Sequence, residues 1–390
     1  MSTIHRPARI LPIIVISQLM GTSLWFSGNA ILDQLQARFH LGPEAAGTLT
    51  SSVQLGFIAG TLLFAFLMLA DRHSPRHVFL ICSVGGALSN LGIYFSDNYS
   101  TLLLYRCLTG VFLAGIYPVG MKIAAGWHDH DLGKALGYLV GALVVGTALP
   151  HLVQALGQHW AWSTVIFTVS AIAVLGGVLM WAGVPDGPHL KRNPRFHAGA
   201  FRQIFQSRKF RASAFGYFGH MWELYAFWAF VPLFLRQAAP DHPGLNISFW
   251  TFCIIAVGSV GSVAGGLASF RMGSAQVAAI QLSFSGLCCL LSPLFFFAPL
   301  PVLLAFLIFW GIVVVGDSPQ FSTLNAQYAP KELVGSALTL ANCLGFAITI
   351  GSIQLLSGLT VWVAPPYWLI PLALGPLAGL AAMRPLRPTE

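Results

Sequence analysis

The chain has 390 residues and a formal net charge of +8, with a mean hydropathy of +0.74. Hydrophobic residues make up 56% and charged residues only 8%, too few charges to solvate a soluble fold of this length. Composition therefore excludes a soluble globular protein, and the positive surplus reads as membrane orientation rather than as a nucleic-acid surface.

Apolar runs of about twenty residues recur at 10–32, 47–69, 77–96, 100–126, 134–157, 162–184, 211–236, 247–270, 275–298, 300–322, 334–358 and 366–384. They are numbered below as spans 1 to 12. Runs of this length predict helices rather than alternating strands, because hydrocarbon forces backbone hydrogen bonds to close within the segment. The expected class is an all-α polytopic membrane protein of about 12 transmembrane helices.

Span 1 follows Arg6 and Arg9, as a signal peptide would, but it is longer than a typical signal core. It carries Gln18, Ser23, Trp25, Ser27 and Asn29. Gln18, Trp25 and Asn29 are candidate solute-binding residues, with helix packing as the alternative. Between spans 2 and 3 stands Asp71-Arg72-His73-Ser74-Pro75-Arg76. Span 4 carries Arg106 in its outer third and Lys122 near its inner end. Lys122 is expected to snorkel to the interface. Arg106 could hold a substrate anion, pair with an acid such as Asp33 or Glu223, or modulate a carboxyl group.

The run His128-Asp129-His130-Asp131 follows in a loop; no metal is expected there. Segment 185–210 is the one long polar stretch, with seven cations from Lys191 to Arg211. Phe201, Ile204 and Phe205 among these cations predict a short interfacial helix, a solvated linker being the alternative.

Span 7 contains His220-Met221-Trp222-Glu223-Leu224-Tyr225. Glu223 lies near the middle of the span and shares a helix face with His220. An ionisable side chain in hydrocarbon is costly and is a functional hypothesis by default. Burial disfavours the charged form, so Glu223 could load and release a proton. The alternative is a carboxyl satisfied by a Ser, Tyr or His on a neighbouring helix. Span 10 carries Gly316-Asp317-Ser318-Pro319-Gln320. Pro319 removes a backbone donor, so Asp317 either couples ion movement or bonds freed backbone. His220, Trp222, Tyr225 and Gln320 join the solute-binding candidates. The six cysteines fall within apolar spans and read as small core residues.

The chain repeats itself. Gly110, Gly115 and Pro118 recur as Gly311, Gly316 and Pro319, about 201 residues later. Each set is followed by a matched stretch, 132–136 and 334–338. Such duplication predicts two pseudo-symmetric six-helix bundles with a solute site between them. The expected boundaries are 1–184, a cytoplasmic linker at 185–210, and 211–390. With the N-terminus inside, sixteen of the twenty Lys and Arg residues fall on the cytoplasmic side, which predicts that both termini are cytoplasmic.

The loop with Asp71, Arg72 and Arg76 resembles the loop motif of the major facilitator superfamily. Pro75 replaces the usual glycine, and a weaker echo stands at Ala268-Ser269-Phe270-Arg271-Met272-Gly273. Arg106-Cys107-Leu108-Thr109-Gly110 resembles the superfamily's Arg-x-x-Gln-Gly motif, with Thr109 for glutamine. The resemblance implies that spans 1, 4, 7 and 10 line a central cavity, that Asp71, Arg72 and Arg76 act in conformational change, and that Arg106 acts on a carboxyl. Span 5 lacks the Gly-Pro pair of drug–proton antiporters, and spans 2 and 8 lack the arginines of nitrate carriers.

These readings converge on a secondary active transporter, proton-coupled through Glu223, Asp317 and Arg106, that moves a small organic solute by alternating access. The alternatives are efflux of a divalent metal, with His220, Glu223 and Asp317 as ligands, or of a drug. More remote is a polytopic membrane enzyme or receptor. No catalytic residue, cofactor or nucleic-acid partner is expected. The expected setting is a monomer in the lipid bilayer of a bacterial inner membrane.

Overall fold

The computed structural model describes residues 7–128, 132–157, 160–190 and 201–386. Among these the chain is helical nearly throughout and holds no strand. Eight segments are long and apolar enough to cross a membrane: Ala45–Leu67, Tyr99–Trp127, Gly133–Leu156, Trp162–Gly183, Ile247–Met272, Ser274–Phe296, Leu300–Tyr328 and Lys331–Trp362. They coincide with expected spans 2, 4, 5, 6, 8, 9, 10 and 11.

The other four expected spans are also helical, but broken, shorter or more polar. Span 1 runs over Ile10–Thr22, unwinds, and resumes at Ser27–Ala30. Span 3 is Pro75–Gly92 and span 7 is Arg208–Ala238. Span 12 begins as 3-10 turns at Pro365–Tyr367 and Ile370–Ala373 before Leu374–Ala382. Pro365, Pro366, Pro371 and Pro376 crowd that segment and remove the donors a continuous helix needs.

The repeat is structural as well as sequential. Span 4 splits into Tyr99–Leu113 and Tyr117–Trp127, and span 10 into Leu300–Val313 and Ser318–Tyr328. Pro118 and Pro319 each stand in the first turn of the second piece, where a missing N–H costs nothing. A Cβ added at Gly110 would stand 2.1 Å from the carbonyl oxygen of Val53 in span 2. About 201 residues on, a Cβ at Gly311 would stand 2.0 Å from that of Ile254 in span 8. Gly60 and Gly261 repeat the pattern against the Val111 and Ile312 carbonyls, at 2.5 and 1.9 Å. Only a residue without a side chain lets these backbones touch.

The halves meet where span 5 packs on span 8 and span 2 on span 11. Four polar contacts between them stand at one end of the molecule. Arg236 clasps Asp33 with two bonds of 2.7 and 2.6 Å. Gln354 donates to Ser51 at 2.8 Å, Ser357 to the Glu44 carbonyl at 3.0 Å, and Asn246 to the Ala155 carbonyl at 3.3 Å.

The Lys122 ammonium reaches the loop after span 2, where it binds Asp71 and the Ala70 carbonyl. The expected short helix exists as Phe201–Gln206, with Ile204 buried and Phe201 exposed. Residues 191–200 of the polar segment and 129–131 of the His/Asp run lie outside the described residues. All six cysteines are free.

Candidate functional site

The break in span 1 explains the surroundings of Arg106. Unwinding after Thr22 releases carbonyls from the helical ladder, and a buried carbonyl must find another donor. Arg106 of span 4, fully buried, donates to the Leu24 carbonyl at 3.2 Å, to the Trp25 carbonyl, and to Ser27 Oγ at 2.9 Å. Ser27 in turn donates to Asn90 Oδ1 at 2.5 Å, and Asn90 to Ser170 at 3.0 Å. One network thus joins spans 4, 1, 3 and 6. Gly28 makes room for it, since a Cβ there would lie 3.1 Å from Arg106 Nε.

Arg106 therefore pairs with neither acid expected for it. Asp33 is held by Arg236, and among the described residues no carboxylate lies within ion-pair distance of Arg106. The reason is geometric: the broken turn of span 1 presents three acceptors to the guanidinium first.

Two buried carboxyls stand in the C-terminal half, each with its own partners. Glu223 accepts from Trp310 Nε1 at 2.7 Å and from Ser285 Oγ at 2.8 Å. It thereby ties span 7 to spans 9 and 10. Asp317, in the broken turn of span 10, makes no side-chain cap on the following helix. Its Oδ1 instead lies 2.8 Å from His220 Nδ1, both residues 1% exposed. His220 packs between Tyr217 and Phe321, ring centroids 6.1 and 6.0 Å away. Among the described residues no three His, Cys, Asp or Glu side chains converge as a metal site.

Between the halves the rings of both sides close on one another. Trp25 and Phe57 meet Tyr225 and Phe346, with centroid separations of 4.5 to 5.6 Å across the junction. Phe26 meets Trp228 edge to face at 6.3 Å. Such tilted, offset-stacked and edge-on arrangements suit the ring quadrupoles.

The remaining sequence candidates scatter. Asn29 donates to Thr50 at 2.7 Å. Gln18 sits against Gly120 with its amide unpartnered. Trp222 turns away from the junction and donates to the Pro371 carbonyl of span 12 at 3.1 Å. Gln320 is buried in span 10. In the loop motif Asp71 holds Lys122, Arg76 reaches the Trp181 carbonyl at 3.4 Å, and Arg72 is exposed. Sequence reading missed Phe57 and Phe346, because an aromatic residue in an apolar span signals nothing about direction. It also missed Ser285 and Trp310, whose only signal was that a buried Glu223 requires donors.

A helical membrane fold built of two related units, with ionisable groups buried at mid-span, defines the class. Residues 13–353 match the family model of the Major Facilitator Superfamily, and the chain belongs to that superfamily. The uncharacterized transporter YgaY of Escherichia coli O157:H7 is 25% identical over 238 residues, covering 57% of this chain and 59% of that protein. The chain thus spans about three fifths of that curated relative's length. The fold resembles the crystal structure of the human organic anion transporter MFSD10, with TM-score 0.71 and 15% identity over 97% of this chain and 100% of that one. It also resembles a bacterial homolog of the human lysosomal transporter Spinster in an inward-facing, unoccupied conformation, with TM-score 0.67 and 14% identity over 96% and 94% of the two chains.

Proposed function

We propose that this protein is a secondary active transporter that moves a small organic solute by alternating access, coupled to protons. The observation that carries the reading is the pair of buried carboxyls, Glu223 and Asp317, on spans 7 and 10. A carboxyl inside hydrocarbon is costly unless function retains it. Asp317 with His220 forms a proton-sharing pair, and Glu223 with Ser285 and Trp310 a second proton site. Arg106 takes part through the broken turn of span 1 rather than by touching either acid.

The two bundles, 1–184 and 211–390, rock about the ring junction, with 185–210 as a cytoplasmic linker. The contacts Asp33–Arg236, Ser51–Gln354 and Glu44–Ser357 support closure of the external end in the state described. A coupling proton shifts the balance of states only by its difference in binding free energy between them. Trp25 and Tyr225 lie at the junction and are the solute contacts of choice among the sequence candidates. The chain works as a monomer in a bacterial inner membrane with both termini cytoplasmic. It is no enzyme and has no partner beyond solute, proton and lipid.

The test is accumulation of solute by proteoliposomes under an imposed pH gradient. Glu223→Gln or Asp317→Asn keeps volume but cannot release a proton. One of the two is expected to abolish pH-driven accumulation while retaining exchange. If both variants accumulate solute like the wild type, coupling through these carboxyls is wrong.

A further inference from the structure

The ring cluster at the junction leaves donors with nothing to bond. Trp25 and Trp228 are each 1% exposed, and neither indole Nε1 has a hydrogen-bond partner. Gln54 is fully buried with both amide atoms unpartnered. It lies on the helix face between Phe57, which packs in the cluster, and Ser51, which bonds the opposite half. A buried polar atom without a partner is uncommon and asks for an explanation. At this junction they stand among packed rings, where a ligand acceptor could take the free indole donors.

Charge decides which ligand. An indole N–H donates and cannot accept, so it favours an acceptor on the ligand. Ring faces alone would also suit a cation. Against that, the Arg106 guanidinium is bound to the backbone carbonyls of Leu24 and of Trp25 itself. Asp33 is matched by Arg236 and Asp71 by Lys122, and Asp317 lies against His220, whereas Arg106 faces only carbonyl and hydroxyl oxygens. Among the described residues no acid compensates its charge, and in a medium of low dielectric that charge repels a cation and favours an anion near Trp25. Glu223 points away, into Ser285 and Trp310.

We propose that the junction lined by Trp25, Phe57, Tyr225, Trp228 and Phe346 is the solute site and that it takes an aromatic anion. The ring slots between the side chains that close on each other in the present state. The anionic group accepts from the indole N–H groups within the field of Arg106. This assignment rests on the transport reading, since it names the substrate class of that carrier.

The experiment uses the full chain in nanodiscs and four probes: 3-phenylpropionate, its uncharged amide, the cation phenethylamine and the aliphatic anion hexanoate. The expected result is that 3-phenylpropionate raises the unfolding temperature and binds at least about tenfold more tightly than phenethylamine or hexanoate. Losing one hydrogen bond in Trp25→Phe or Trp228→Phe should weaken its binding about two- to tenfold, with phenyl packing kept. Two positions are tested so that a variant that fails to fold does not decide the matter. Equal or tighter binding of the amine, no binding of any probe, or unchanged binding in the folded tryptophan variants would overturn the assignment. Proteoliposome flux separates the two readings. If another solute accumulates while 3-phenylpropionate neither binds nor moves, the aromatic-anion site is wrong and transport stands. If 3-phenylpropionate binds but no probe moves, the site stands and transport is wrong.

Discussion

Arg236 and Asp33, 203 positions apart in the chain, form a two-bond ion pair that joins the C-terminal half to the N-terminal half. Their side chains are 46% and 52% exposed, so the pair sits in high dielectric at the rim. Pairs of this kind contribute about 0.2–1 kcal/mol. That is too little to hold the halves together, but enough to bias two states that differ by a few kcal/mol.

Arg236→Ala or Asp33→Asn should therefore open this end about 1.5- to 5-fold more often, by the usual worth of an exposed pair. The readout is the labelling rate of a cysteine placed at Ser357 in a background without the six native cysteines. The charge-exchanged double variant should restore the wild-type rate. Equal rates in all four proteins would mean that the pair carries no bias.

Gly110→Ala and Gly311→Ala should each destabilise the fold, because the new Cβ meets a backbone carbonyl at 2.1 or 2.0 Å. Overpacking of this sort typically costs about 1–3 kcal/mol, and the two equivalent positions should cost alike. Gly358→Ala is the control, since nothing lies within 4 Å of its Cβ position. Melting temperatures in one detergent check the set. A Gly110 variant as stable as the Gly358 variant would contradict the close approach of spans 2 and 4.

Arg106→Lys keeps the charge but cannot serve Leu24, Trp25 and Ser27 together, since an ammonium lacks the fork of a guanidinium. A carbonyl left bare in the broken turn of span 1 should cost about 1–3 kcal/mol, seen as a lower melting temperature. Arg106→Gln should cost more, because it removes charge as well as reach. If Arg106→Lys melts like the wild type, the guanidinium is not what holds the break.

Lys122→Ala should free the loop at Asp71, as the ammonium binds both that carboxylate and the Ala70 carbonyl. Both side chains are about four-fifths buried, so the effect should exceed that of the exposed Arg236 pair. Faster proteolysis between spans 2 and 3 is the expected sign. Asp71→Asn should show the same in weaker form, and wild-type cleavage rates in both would mean that this pair does not hold the loop.

The sequence alone determined the class of this protein. A bilayer admits helices or closed barrels, and apolar runs of about twenty residues select helices, so composition and run length located the helices to within a few residues. The recurrence of Gly110 and Pro118 as Gly311 and Pro319 announced the repeat, and even the breaks in spans 4 and 10 follow from those residues. It also singled out Arg106, Glu223 and Asp317, because charge in hydrocarbon is conspicuous. What these groups touch was decided by the tertiary structure. Glu223 and His220 share a helix face in the sequence pattern, yet one carboxyl turns to Trp310 and Ser285 while the imidazole meets Asp317. Arg106 found the carbonyls of a break in span 1 that no proline marks. Helix rotation, tilt and local unwinding set those directions. They come from packing between segments far apart in the chain, about which the periodicity of any single helix says nothing.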